Sequence, residues 1–225
     1  MAVNTRYEIK LVTSEINLPE VRTWLRLHST GFYEVYAPRQ INNVYFDTPD
    51  FDSYNENLAG ISSRKKLRLR WYDNQLQKVE GTLELKCKRN LQGWKITQKL
   101  EKILDFTQNS WAEIRQEIRP QLKPELFDYF DRFYNPVLIN RYQREYYLSF
   151  DRKVRITLDF AQDAFDQRLS KYPNLARSIL SAEQMVVEVK ADRQYASFLS
   201  EAIASLPLRV GKHSKYALAM EAIFN

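Results

Sequence analysis

The stretch KKLRLRWY, residues 65–72, alternates between charged and apolar side chains. The charged set is Lys66, Arg68 and Arg70, and the apolar set is Leu67, Leu69 and Trp71. Successive side chains of a β-strand point to opposite faces, so a strand here carries its cations on one side and its apolar residues on the other. The pattern predicts a strand with one apolar face and one basic face. That basic face lies either against water or in a cavity that receives an anion.

The same arrangement recurs in four other stretches, with polar residues two positions apart and bulky apolar residues between them. The polar members are Glu8 and Lys10; Glu84, Lys86 and Lys88; Arg155, Thr157 and Asp159; and Glu188 and Lys190. One strand of this kind is usually a solvated face. All of these strands together would leave their apolar faces in water unless helices cover them, which favours charges that point inward.

Helical stretches to cover those faces are present in the sequence. Apolar positions at helical spacing follow Leu18, extend over residues 110–133 with breaks around Pro120 and Pro124, and recur at residues 193–206 and 213–224. We therefore predict an α+β fold, an eight-stranded antiparallel β-barrel with helices packed around the outside. No repeat or linker divides the sequence, so we expect a single domain over residues 1–225.

The composition limits the function classes. The chain has 225 residues, a net charge of +6 and an isoelectric point near 9.2, which favours polyanionic partners. Five glycines leave no glycine-rich phosphate loop, and two histidines with one cysteine argue against an ordinary zinc site. A bound metal would be a hard cation on carboxylates and phosphate oxygens. Without a signal peptide or a membrane-length apolar run, we expect a soluble cytoplasmic protein.

Several stretches, in this order, resemble the VTC domain, the polyphosphate polymerase branch of the triphosphate tunnel metalloenzyme (CYTH-like) superfamily. They are RYEIK (6–10), VYFDTPDFDSYNENLAG (44–60), KLRLRWY (66–72), ELKCKR (84–89), RYQREYY (141–147), VRITLD (154–159), VEVK (187–190) and HSKYALA (213–219). The resemblance covers nearly the whole chain. It implies a tunnel that binds triphosphate or polyphosphate with a divalent metal, Mn²⁺ or Mg²⁺.

The resemblance also implies roles for individual residues. The residues that it implies to be catalytic phosphate contacts are Lys10, Arg68, Arg70, Lys86, Arg144 and Arg155. Further phosphate contacts are Lys88, Lys190, Ser214 and Lys215, and the implied metal ligands are Glu188 and Glu8. We expect one enclosed channel to bring together Glu8, Lys10, Arg68, Arg70, Lys86, Arg144, Arg155 and Glu188.

One position departs from the related CYTH triphosphatases, which begin with two alternating glutamates. Arg6 stands at the first of those places, which disfavours a hydrolytic triphosphatase and fits the VTC branch better. The leading hypothesis is a metal-dependent phosphotransferase that passes the terminal phosphate of ATP to a polyphosphate chain. A triphosphatase and a non-catalytic polyphosphate sensor remain alternatives. A separate membrane protein is a further hypothetical partner, whereas carboxylates interleaved with the cations disfavour nucleic acid.

Overall fold

A computed structural model describes residues 6–90, 92–195, 203, 204, 206, 208, 210, 211 and 213–224. The strands are β1 (Arg6–Ser14), β2 (Phe32–Asp47), β3 (Ser63–Tyr72), β4 (Thr82–Arg89), β5 (Gln92–Lys99), β6 (Asn135–Ser149), β7 (Val154–Asp166), β8 (Leu180–Ala182) and β9 (Gln184–Asp192). The helices are α1 (Leu18–Leu27), α2 (Asp52–Leu58), α3 (Trp111–Ile118), α4 (Pro124–Arg132) and α5 (Lys215–Phe224). The predicted α+β class is confirmed.

The strands form one antiparallel sheet. Eight of them follow the order β1-β9-β7-β6-β2-β3-β4-β5, and the short β8 pairs with β7. Among the pairings of the described residues this order is open, with β1 and β5 at its two ends. Closure of the strands into a barrel is therefore not confirmed and stays a prediction.

The chain divides into two compact units. Unit 1 comprises residues 1–39, 142–162 and 181–213, and unit 2 comprises residues 40–141, 163–180 and 214–225. The long strands β2, β6 and β7 each contribute residues to both units. A single domain over the whole chain stays a prediction.

Helix α1 covers the apolar side of the unit 1 strands. Pro19 lies in its first turn, where a missing N–H costs no helical hydrogen bond. Val21 and Leu25 of α1 are buried in a cluster with Leu11 of β1 and Val187 of β9. The predicted helix after Leu18 is confirmed, and its packing leaves the other face of these strands to the charged residues.

Helices α3 and α4 cover the apolar side of the unit 2 strands. The predicted break is confirmed, because a 3₁₀ turn (Arg119–Gln121) separates them and α4 begins at Pro124. Ser110 caps α3 through a reciprocal capping box with Glu113. The buried apolar set of KKLRLRWY, namely Leu67, Leu69 and Trp71, lies in one cluster with residues of both helices.

The end of the chain is described in part. The predicted last helix is confirmed as α5. The predicted helix over residues 193–206 lies mostly outside the described residues, apart from a 3₁₀ turn (Arg193–Tyr195) at its start. None of the helices in the described ranges has the length and hydrophobicity that a membrane crossing requires.

Candidate functional site

The strand register of unit 1 brings charged side chains together on one face. Lys190 of β9 lies directly between Glu8 of β1 and Arg155 of β7, and Glu188 lies between Lys10 and Thr157. Residues directly opposite each other in antiparallel strands share a face. The alternation read from the sequence therefore becomes two adjacent rows of polar side chains across three strands.

Four of these side chains form a quartet in which each lysine contacts both carboxylates: Glu8, Lys10, Glu188 and Lys190. The Nζ of Lys10 lies 3.5 Å from a carboxylate oxygen of Glu8 and 3.7 Å from one of Glu188. The Nζ of Lys190 lies 3.7 Å from Glu8 and donates a hydrogen bond of 2.7 Å to Glu188. The quartet is electrically balanced, so an arriving anion would compete with the carboxylates for both lysines.

The environment of Glu188 keeps its carboxylate ionised. Burial alone would raise the pKa of Glu188, but the charges of Lys190 and Lys10 outweigh it and hold that pKa well below its usual range. Its side chain is only 11% exposed. A buried carboxylate held in its ionised form is the kind of oxygen ligand that a hard divalent cation prefers.

Arg144 of β6 is held on the same polar side by Asp159 of β7. Its Nε and Nη2 donate hydrogen bonds of 2.5 Å and 2.6 Å to the two carboxylate oxygens of Asp159. Burial would lower the pKa of Arg144, yet Asp159 raises it well above the ordinary value. This bidentate pair fixes the plane of the guanidinium. The sequence analysis placed Asp159 only among the polar members of its strand, and the structure makes it the residue that orients Arg144.

The polar face of unit 2 is centred on Glu84 of β4. Arg68 of β3 lies directly opposite Glu84, donates a 2.7 Å hydrogen bond from its Nε, and is itself buried. Arg70 and Lys95 place a nitrogen 3.8 Å and 3.3 Å from the same carboxylate. Burial would raise the pKa of Glu84, but these three cations lower it to about 2. Among the described residues, one carboxylate thus lies within ion-pair distance of three cations.

Lys66 extends this face beyond the residues that the resemblance assigned. Lys66, Lys86 and Lys95 are direct cross-strand neighbours on β3, β4 and β5. Lys86 and Lys95 are exposed, and Lys95 also lies 3.3 Å from Glu84, so solvent and this carboxylate reduce the repulsion within the row. Lys66 donates hydrogen bonds to Asn57 at 3.0 Å and to Ser214 at 3.1 Å. Its position in the alternation beside Arg68 was the sequence signal for it.

A buried aspartate positions the first turn of α5, where Ser214 and Lys215 lie. Asp47, at the end of β2, accepts hydrogen bonds from the backbone N–H groups of Ser53 and Tyr54 at the start of α2. The hydroxyl of Tyr216 also donates to Asp47. Burial, followed by Asp47, raises the pKa of Tyr216 well above its ordinary value. The hydrogen bond from Tyr216 to Asp47 therefore holds the start of α5, at the residue that follows Lys215, against the end of β2.

We expect Tyr216→Phe to lower the free energy of unfolding by about 2 kcal/mol, because a hydrogen bond to a buried charged group is lost. Denaturant unfolding measures the change. Tyr134→Phe is the control, since Tyr134 is 48% exposed. Equal stabilities of the Tyr216→Phe variant and the wild type would show that Asp47 does not depend on this donor.

The predicted site residues fall into two sets, one in each unit. Unit 1 brings together Glu8, Lys10, Arg155, Glu188 and Lys190, with Arg144 on the same polar side. Unit 2 brings Arg68 and Arg70 to Glu84 and Ser214 to Lys66, while Lys86 and Lys88 are exposed on β4 and Lys215 begins α5. Convergence of both sets on one channel stays a prediction.

The fit of these residues to a divalent cation depends on Glu8 and Glu188. Within the described ranges no group of three or more His, Cys, Asp or Glu side chains could hold a metal ion. Two carboxylates that share the same lysines supply part of the oxygen shell of Mg²⁺ or Mn²⁺, and phosphate oxygens would have to complete it. The donor set therefore fits a cation that arrives together with a phosphate compound.

The antiparallel sheet, with charged strand faces opposite helix-covered apolar faces, agrees with the α+β class that the sequence motifs indicated. The chain belongs to the VTC domain family, whose family model matches residues 5–224. The resemblance read from the sequence motifs is thereby confirmed.

Two solved structures share the fold. A protein of Vibrio parahaemolyticus, provisionally described as an adenylate cyclase, matches with a TM-score of 0.52 and 13% identity over 97% of this chain and 98% of its own. A Hippeastrum protein, provisionally described as an adenylyl cyclase with a dominant triphosphatase activity, matches with a TM-score of 0.55 and 14% identity over 95% and 94%. No curated protein sequence matches the chain. At these identities the two likenesses concern the fold alone.

Proposed function

We propose that the chain binds triphosphate and polyphosphate compounds through its strand cations and transfers the terminal phosphate of ATP to a polyphosphate chain. The observation that carries the proposal is the cluster around Glu84, where Arg68, Arg70 and Lys95 share one carboxylate. The side chains of Arg68 and Arg70 are little exposed, and closely spaced cations of this kind favour an anionic ligand. Membership of the VTC family supports phosphate chains as that ligand.

The proposed reaction needs little covalent participation from the protein. The bond between the γ-phosphorus of ATP and the bridging oxygen breaks, and ADP leaves with the electron pair. A terminal oxygen of the polyphosphate chain forms the new bond to that phosphorus. Such transfers depend on positioning and on neutralising charge. The guanidiniums of Arg68, Arg70, Arg144 and Arg155 suit phosphate oxygens in geometry, and Lys10, Lys86, Lys88, Lys190 and Lys215 add point charges.

Glu188 and Glu8 are the residues that would hold Mn²⁺ or Mg²⁺. A cation bound there supplies Lewis-acid polarisation of the transferring phosphoryl group. For the carboxylates to bind it, Lys10 and Lys190 would turn from them to the phosphate oxygens. In this exchange each lysine would keep an anionic partner and each carboxylate a cationic one.

The closed eight-stranded tunnel belongs to this proposal, as do a cytoplasmic location and a membrane partner on a separate chain. Hydrolysis of triphosphates is the second candidate, and the activity described for the Hippeastrum protein of the same fold favours it. Hydrolysis uses the same cations, with water in place of the polyphosphate terminus. A polyphosphate sensor would use them without turnover.

We expect the purified chain, incubated with ATP and Mn²⁺, to release ADP and form polyphosphate. Chromatography that resolves ADP, free phosphate and polymer measures the products. Tripolyphosphate alone should raise the melting temperature, because a ligand that binds only the folded state stabilises it. ADP with free phosphate would assign a triphosphatase, and a thermal shift without ADP would assign a sensor. No thermal shift at millimolar tripolyphosphate, with or without metal, contradicts phosphate binding altogether.

A further inference from the structure

Aromatic rings and guanidiniums alternate along the polar side of unit 1. The Cζ of Arg144 lies 5.3 Å from the ring centre of Tyr142 and 6.0 Å from that of Tyr146. The Cζ of Arg39 lies 5.0 Å from the ring centre of Tyr146 and 5.0 Å from that of Tyr36. We name Tyr142, Arg144, Tyr146, Arg39 and Tyr36, in this order, the stacked row.

The stacked row passes from the protein interior to its surface. Tyr142 is 3% exposed, whereas Tyr36 is 56% exposed. Tyr36 and Tyr146 meet edge to face, with ring centres 5.6 Å apart. Residues 34–38 of β2 are all exposed, so this part of the strand is open to solvent on both faces. The row therefore includes a predicted phosphate contact, Arg144, and ends in an accessible aromatic ring, Tyr36.

We propose that the exposed end of the stacked row, formed by Tyr36, Arg39 and Tyr146, is a platform for the base of a nucleoside triphosphate. The inference rests on the proposed function, because it takes Arg144 as a phosphate contact. A base stacks on tyrosine rings and on guanidinium planes, whatever its sequence identity. The platform would let the site distinguish a nucleoside triphosphate from an inorganic phosphate chain.

The chemistry of the platform favours a base over other occupants. A cation would be repelled by the guanidiniums of Arg39 and Arg144, whose Cζ atoms lie 5.0 Å and 6.0 Å from the ring centre of Tyr146. A further phosphate would be attracted by Arg39 alone and would gain nothing from the tyrosine rings. A flat, polarisable ring gains from both residue types, because it stacks on aromatic faces and on guanidinium planes.

The test measures dissociation constants of two probes for the whole chain by calorimetry. The probes are the β,γ-imido analogue of ATP and inorganic tripolyphosphate, each with Mg²⁺. In the Tyr36→Ala variant, loss of a stacking ring should raise the dissociation constant for the ATP analogue about tenfold above the wild-type value. The constant for tripolyphosphate should stay within about twofold of the wild-type value, because the phosphate contacts are retained. Tyr36→Phe keeps the ring and should match the wild type with both probes.

Tyr172→Ala is the matched control. Tyr172 is also exposed and also has a cation over its ring, Lys171 at 5.5 Å, but it lies in the segment between β7 and β8, outside the stacked row. Its removal should change neither constant. Suppose that the wild type binds tripolyphosphate and that Tyr36→Ala raises the dissociation constants of both probes equally, or of neither. The platform is then overturned and the proposed function stands. If the wild type binds neither probe, both are overturned.

Discussion

Replacement of Glu188 by glutamine is expected to lower ADP release by roughly a hundredfold or more while phosphate affinity holds or rises. The substitution keeps the shape of the side chain and removes one negative charge from the quartet. Lys10 and Lys190 each lose a carboxylate partner, so both become more available to phosphate oxygens. The lost charge also weakens the proposed metal site, which is needed for transfer and not for ground-state binding. Initial rates with ATP and Mn²⁺ measure ADP release, and calorimetry with tripolyphosphate measures the phosphate affinity.

Two further variants separate this expectation from general damage. Glu117→Gln removes a carboxylate that also pairs with a lysine, Lys102 at 2.8 Å, but on helix α3. It should leave rate and affinity unchanged. Arg70→Ala should instead lose affinity and turnover together, because it removes a proposed phosphate contact. An unchanged rate in the Glu188→Gln variant would exclude Glu188 as a ligand of a catalytic cation.

The sequence predicted which side chains share a face, because alternation along a strand depends only on local geometry. It did not predict the register between strands. That Arg68 meets Glu84, or that Lys190 lies between Glu8 and Arg155, depends on how separate stretches align. The family resemblance assigned roles to several of these residues but no partners. Partners were therefore found only in the structure.

Glu145 shows why one charged residue escaped the pattern. It lies on β6 at a position between Arg144 and Tyr146, where alternation places it on the apolar side of the strand. There it is buried, accepts hydrogen bonds from Arg22 of helix α1 and from Tyr147, and connects the helix to the strand. A carboxylate on the apolar side of a strand was the available signal. Its partner, Arg22, is 123 residues away in the sequence, so no local pattern could identify it.

The inner part of the stacked row lies in the sequence stretch RYQREYY, whereas its outer end comes from another strand. Tyr142, Arg144 and Tyr146 alternate along β6 and could be read together. Arg39 and Tyr36 come from β2, and their approach to Tyr146 follows from tertiary packing. Contacts of this kind join residues about a hundred positions apart, beyond the reach of any periodicity argument.

Glu84→Gln is expected to be the most destabilising single change in the charged faces, lowering the free energy of unfolding by about 3–5 kcal/mol. The variant leaves Arg68 buried without its carboxylate, with Tyr45 at 3.5 Å as a remaining hydrogen-bond acceptor. Arg68→Met should cost less, because Glu84 keeps Arg70 and Lys95. The double variant should cost less than the sum of the single ones, since the two residues interact directly. Denaturant unfolding of the four proteins completes the cycle.

The pH dependence of stability provides a second test of the same carboxylate. The folded-state pKa of Glu84, about 2, lies below the ordinary value of 4.5. Its contribution to stability is therefore fully present above pH 4.5 and is lost as the pH falls through that range towards 2. The difference in unfolding free energy between wild type and Glu84→Gln should shrink over this window. A difference that stays constant from pH 6 to pH 2 would show that the carboxylate is not the source of the effect.

Tripolyphosphate should rescue the Glu84→Gln variant more than it stabilises the wild type. In the variant, Arg68, Arg70 and Lys95 have lost their shared anion, and a bound phosphate chain would replace that charge. The rise in melting temperature with ligand should therefore be larger in the variant, because its folded state binds the anion more tightly. Glu80→Gln removes an exposed carboxylate beside Lys99 and should give the wild-type rise. Equal rises in Glu84→Gln and wild type would mean that phosphate does not bind at this cluster, and the observation that carries the proposed function would lose its force.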